Sequence, residues 1–178
     1  MLLTKQQRFL LDALKRTGGL CEDQMAALLR PAFCGEKPEI APCVVEAALR
    51  QLRGMSVVLR EKEKVYWLGR DPPDRDLLDA VDVMNQLSGG APIEYWRAKA
   101  PILLRFYVQE KKVRAFSVVN ESADMRDADF PLNERIILLF DGQGQPKALP
   151  VSNKQFIAVR QKDGSFRFYA RDGQSKQS

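Results

Sequence analysis

The sequence predicts an α+β fold in two consecutive parts. Three observations carry that expectation. Apolar residues recur at helical spacing through the first third of the chain. The period then shortens from 3.6 toward 2 after Gly54. Beyond Pro92, short apolar runs separated by polar turns take over, as in a mainly antiparallel sheet accompanied by one or two helices.

Helix one is expected over residues 4–16. Thr4-Lys5-Gln6-Gln7 fits the capping box, Phe9, Leu10, Ala13 and Leu14 repeat on one face, and Lys15 and Arg16 precede Gly18-Gly19. Helix two, about 21–30, carries Met25, Leu28 and Leu29, with Glu22 and Asp23 in its first turn. Pro31 should end it, because proline disfavours helical backbone in the residue before it. Residues 31–41 read as a loop. Helix three starts near Pro42 and runs to about 53, with Val45, Ala48, Leu49 and Leu52 inward and Glu46, Arg50 and Arg53 outward. A hairpin follows at about 56–60 and 64–68, its tip charged from Arg60 to Lys64.

Gly69-Arg70-Asp71-Pro72-Pro73-Asp74 is the clearest break, and Asp71 is the expected cap of a helix over 74–87. Hairpin strands are expected at 102–108 with 113–119, and at 156–160 with 166–170. Arg135–Phe140, nearly all apolar, reads as a central strand. The division is therefore 1–70, 71–172 and a disordered tail, 173–178.

Composition narrows function. The chain has 178 residues, 45% apolar and 29% charged, an ordinary globular mix. It has no histidine, which removes the usual general base near neutral pH, Ser/His and Cys/His nucleophile pairs and Cys/His zinc sites. Cys21, Cys34 and Cys43 are too few and too widely spaced for a four-Cys site, and read as reduced, mostly buried thiols. Asp124, Asp127 and Asp129 lack the spacing of a calcium loop. Gly142-Gln143-Gly144 lacks a third glycine and a following helix. Phe166 and Phe168 alternate as core residues do, although such aromatics can stack on single-stranded bases. No catalytic residue, metal or cofactor is expected. With no apolar run near membrane-spanning length and no signal-peptide pattern, the expectation is a cytoplasmic protein without membrane association.

The order helix, helix, helix, hairpin over residues 4–68 resembles a winged helix–turn–helix domain. The likeness rests on Leu3-Thr4-Lys5-Gln6-Gln7, on Asp23-Gln24-Met25-Ala26, and on Ala47-Ala48-Leu49-Arg50-Gln51-Leu52 before the hairpin. The element order beyond residue 70 is weakly similar to accessory proteins of plasmid replication and DNA relaxation.

The first resemblance implies double-stranded DNA binding. Helix three would enter the major groove through Arg50 and Arg53, and the hairpin would meet the backbone through Arg60, Lys62 and Lys64. Charge agrees. Residues 1–70 hold 12 Lys and Arg against 8 Asp and Glu, whereas residues 71–178 hold 16 against 15. The expected function is a non-enzymatic transcriptional regulator or mobile-element (plasmid or conjugative) accessory factor. A homodimer is expected, formed through the apolar strands of the second part. The same residues have plainer readings: Glu46 and Arg50 as a surface i,i+4 pair, and the alternating charges of the hairpin tip as a solvated surface. The alternative is thus a protein-interaction adaptor whose winged helix does not meet DNA.

Overall fold

The computed structural model describes residues 2–55, 57–126, 128–140 and 154–170, together with the backbone of 175–176. Helix α1 spans Lys5–Thr17. Its capping box closes as expected: the Gln7 amide donates to Thr4 Oγ1, and the Thr4 amide donates to Gln7 Oε1 at 2.8 Å. Gly18, in left-handed backbone, ends it. The two-residue strand β1 (Leu20–Cys21) follows, then α2 (Glu22–Leu29).

Residues 31–41 are not the open loop that the prolines suggested. A π-helical turn, Arg30–Cys34, and a 3-10 turn, Pro38–Ile40, lead into α3, Ala41–Gly54. Arg30 stays helical (φ −49°, ψ −59°) although Pro31 follows. Pro31 stands at the first turn of the wider π-helical segment, where its missing N–H is no loss.

Strands β2 (Arg60–Lys62) and β3 (Val65–Trp67) form the hairpin, shorter than expected. They are joined through Glu63 and Lys64, both with positive φ. This is the backbone of a tight two-residue hairpin turn, made here without the usual Asn-Gly. Strand β1 pairs antiparallel with β3, giving the sheet order β1-β3-β2.

Helix α4 spans Arg75–Ser88. Its cap is Asp74, not Asp71: Asp74 Oδ1 accepts from the Leu77 amide at 2.8 Å. Asp71 stands before both prolines, too far from the first free N–H groups. The second sheet comprises β4 (Glu94–Arg97), β5 (Ile102–Gln109), β6 (Val113–Asn120), β7 (Arg135–Phe140), β8 (Gln155–Arg160), β9 (Phe166–Tyr169) and β10 (Ser175–Lys176), in that spatial order. β6, β7 and β8 run parallel and the other four pairings are antiparallel. The chain is thus α+β with a mainly antiparallel second sheet, and β7 occupies its centre. Residues 175–176, expected in a disordered tail, pair with β9. An edge strand held by backbone bonds needs no apolar pattern to announce it.

Both faces of the large sheet are covered. On one, Phe106, Val118, Ile137 and Ala158 join the cluster that holds α4 and the inward residues of α1, α2 and α3. On the other, Val119, Leu138 and Ile157 lie under Ala123, Met125 and Phe130 from the β6–β7 connection. The strand residues expected to supply a dimer interface are therefore consumed inside the chain.

Packing also runs across the Asp71–Pro73 segment. Gln24 on α2 donates to the Leu78 carbonyl and to Asp82 on α4, both at 2.8 Å. Pro73 lies against Gly19 so closely that a Cβ there would sit 2.5 Å from the proline ring. Tyr95 on β4 is 8% exposed and lies under Arg16 of α1, 5.7 Å from the ring centre.

The Tyr95 environment yields a pH test. Burial pushes its phenol up to about 12 from 10.0. The folded chain therefore keeps a proton that the unfolded chain releases, and stability falls as pH rises between those values. Tyr95→Phe should flatten that fall, by about 2–3 kcal/mol across the window. Urea unfolding on either side of the window checks it, and an unchanged slope would count against it.

Candidate nucleic-acid interface

Helix α3 presents its inward face through Ala41, Val45, Ala48, Leu49 and Leu52, all buried. At 100° per residue, Cys43, Ala47 and Arg50 point the opposite way, with Glu46 and Arg53 to one side. Arg50 is exposed, and among the described residues it has no hydrogen-bond or ion-pair partner. The surface pair expected between Glu46 and Arg50 is not made.

Arg53 is placed differently. Its guanidinium is ion-paired with Glu61 on β2 and lies 5.4 Å from the centre of the Tyr66 ring on β3. The Tyr66 hydroxyl sits 2.7 Å from Glu22 Oε1 and 3.2 Å from Glu61 Oε1. Burial, then donation of its proton to Glu22, raises the Tyr66 pKa. Lys64, at the hairpin tip, lies 3.9 Å from the other Glu22 oxygen. The start of α2, the end of α3 and the hairpin are thus tied by one polar cluster, in which Tyr66 meets Glu22, Glu61 and Arg53.

Arg60 and Lys62 are exposed and stand opposite Trp67 and Val65. Side chains alternate along a strand, so these two occupy the face of the hairpin turned away from Glu61 and Tyr66. The five cations are therefore not one patch. Among the described residues, Arg50, Arg60 and Lys62 carry unpaired charge, whereas Arg53 and Lys64 are matched by Glu61 and Glu22. Sequence reasoning missed Glu22 and Tyr66, because the bond that ties α2 to the hairpin joins residues 44 positions apart, and Arg53 reaches Tyr66 only when α3 packs beside the hairpin.

The remaining sequence candidates disperse. Asp124 is bonded to Arg126 at 2.6 Å, Asp129 offers its carbonyl to Arg105, and Asp127 lies outside the described residues. No group of three metal-ligating side chains gathers among the described residues. Gly142-Gln143-Gly144 also lies outside them. Phe166 and Phe168, each 5% exposed, are core residues. Cys34 is buried and Cys21 half-buried, its thiol pushed up by burial, but Cys43 is exposed on the outward face of α3, contrary to expectation for a cysteine. A groove of about 230 Å³ between α1 and the α4–β4 connection is lined by Phe9, Leu28, Pro31 and Tyr95 and has no cationic group. No helix among the described residues is long and apolar enough to cross a membrane.

No family model, curated protein or solved structure matches this chain.

Proposed function

We propose that residues 1–70 form a winged helix–turn–helix module that binds double-stranded DNA without catalysis, within a transcriptional regulator or a mobile-element accessory factor. The observation that carries this reading is the order α1-β1-α2-α3-β2-β3 with the short sheet paired β1-β3-β2. In that arrangement α3 packs on α2 and the hairpin stands beside it as a wing. Arg60 and Lys62 on the wing supply unpaired charge for binding phosphates, and Arg50 on α3 supplies a cation that faces the groove. Three such cations bind weakly alone, so paired half-sites and a homodimer accompany the proposal.

The test is duplex binding by the full chain across a salt series. Binding should tighten steeply as salt falls. Changing Arg50 and Lys62 together to Glu should flatten the slope of log K against log salt by about 0.9 for each phosphate no longer neutralised. Lys111→Glu with Lys112→Glu, on the exposed tip between β5 and β6, carries the same charge change and should bind as the parent does. Equal weakening in the two double variants, or no duplex binding at low salt, would sink the reading.

One observation favours the adaptor instead. Glu61 and Glu22 cancel Arg53 and Lys64, leaving the wing's inner face close to neutral. Under that reading the parent chain would retain no duplex at any salt.

A further inference from the structure

Two charged side chains stand unpaired on the outer half of α3, and they have opposite signs. Glu46 and Arg50 are both exposed, one helical turn apart, with the acid on the N-terminal side. That is the favoured order for an i,i+4 ion pair. Even so, among the described residues neither has a hydrogen-bond or ion-pair partner. Arg53, the other cation on this side, is held by Glu61 and Tyr66. What α3 brings to a partner is therefore one free guanidinium and one free carboxylate, with the small, uncharged Cys43 and Ala47 beside them.

A free carboxylate facing a polyanion weakens binding unless it meets a donor. In the major groove the donor suited to a carboxylate is the cytosine N4 amino group, and the partner suited to a guanidinium is the O6/N7 edge of guanine. Four residues of helix rise about 6 Å. That is close to two steps of about 3.4 Å along a strand.

We propose that Glu46 and Arg50 are the specificity-determining residues of this interface: Arg50 reads a guanine, and Glu46 reads a cytosine within about two base pairs of it. The proposal rests on the reading of α3 as the groove helix. Glu46 serves as a filter: it adds little affinity and rejects sites that present acceptors at its position. Arg53 is a positioning residue, setting the wing against α3 and leaving base recognition to Arg50.

Selection of the full chain on a random duplex pool tests it. The parent should enrich a guanine and a nearby cytosine. Glu46→Gln should exchange that cytosine for adenine, because a carboxamide pairs with adenine N6/N7, and should leave the guanine untouched. Arg50→Ala should lose the guanine preference, by roughly 10- to 100-fold against mismatched sites. Both side chains are exposed, and unchanged melting temperatures would show that folding is not the cause. If the parent binds duplex in a salt-dependent way but enriches no site, or if Glu46→Gln selects the parent's site, the specificity proposal fails while DNA binding stands. If no duplex binds at low salt, both fail.

Discussion

Gly90→Ala should be among the most destabilising single substitutions in this chain, costing roughly 3–5 kcal/mol and lowering the melting temperature by about 10–15 °C. Gly90 has φ +78°, a backbone conformation that side chains disfavour. A Cβ there would also lie 2.2 Å from the Ala27 carbonyl oxygen of α2. Backbone on both sides leaves no flexible group to yield. The neighbouring Gly89 is the control: it too has positive φ (+60°), but nothing lies within 4 Å of its Cβ position. Gly89→Ala should therefore cost only the conformational part, about 1 kcal/mol. Thermal melts of the two variants separate strain from close approach. Equal losses would mean that α2 does not sit hard against the α4–β4 connection.

Arg160→Met should cost about 2–3 kcal/mol at neutral pH. Arg160 donates to Asp79 at 2.7 Å and to Asp82 at 2.6 Å, and stacks 4.9 Å from the Phe166 ring centre. Asp82 also accepts from Gln24, so the cluster links β8, α4 and α2. Its side chains are only two-thirds to four-fifths buried, which keeps the loss below that of a fully buried pair. Burial already raises the Asp79 carboxyl above its ordinary 3.8 despite Arg160. Without the guanidinium it should rise further. A raised acid gives stability that is present below its ordinary value and lost as pH climbs through the folded value. The deficit of Arg160→Met should therefore shrink toward acid, and Asp79→Asn should be nearly neutral. A deficit independent of pH, measured by urea unfolding, would assign the loss to packing on Phe166 instead.

These two sites lie where the sequence reading and the structure part company. The Asp71-Pro72-Pro73 segment reads as a domain division, yet buried residues on either side of it share one apolar cluster. Pro73 on Gly19, Gly90 on Ala27 and Gln24 on α4 join the two parts. None of these junctions has a local signature, because each pairs residues more than fifty positions apart.

The proposed interface shows the same split. That Arg50 and Arg53 point away from the core followed from helical periodicity alone. That Arg53 is bound, while Arg50 has no partner among the described residues, did not, because the deciding partners come from a hairpin and from the start of α2.

What was legible along the chain is what short-range chemistry controls. The capping box of Thr4 and Gln7, the inward stripe of α3, the β5–β6 and β8–β9 hairpins and the apolar run of β7 all depend on neighbours within a few residues. The rest emerged only on folding. β1, β4 and β10 are strands because a partner edge was available to pair them, and residues 30–40 are largely helical because the turn widened around Pro31. Backbone hydrogen bonds to a distant strand and ion pairs between distant side chains leave no periodic trace in the chain that makes them.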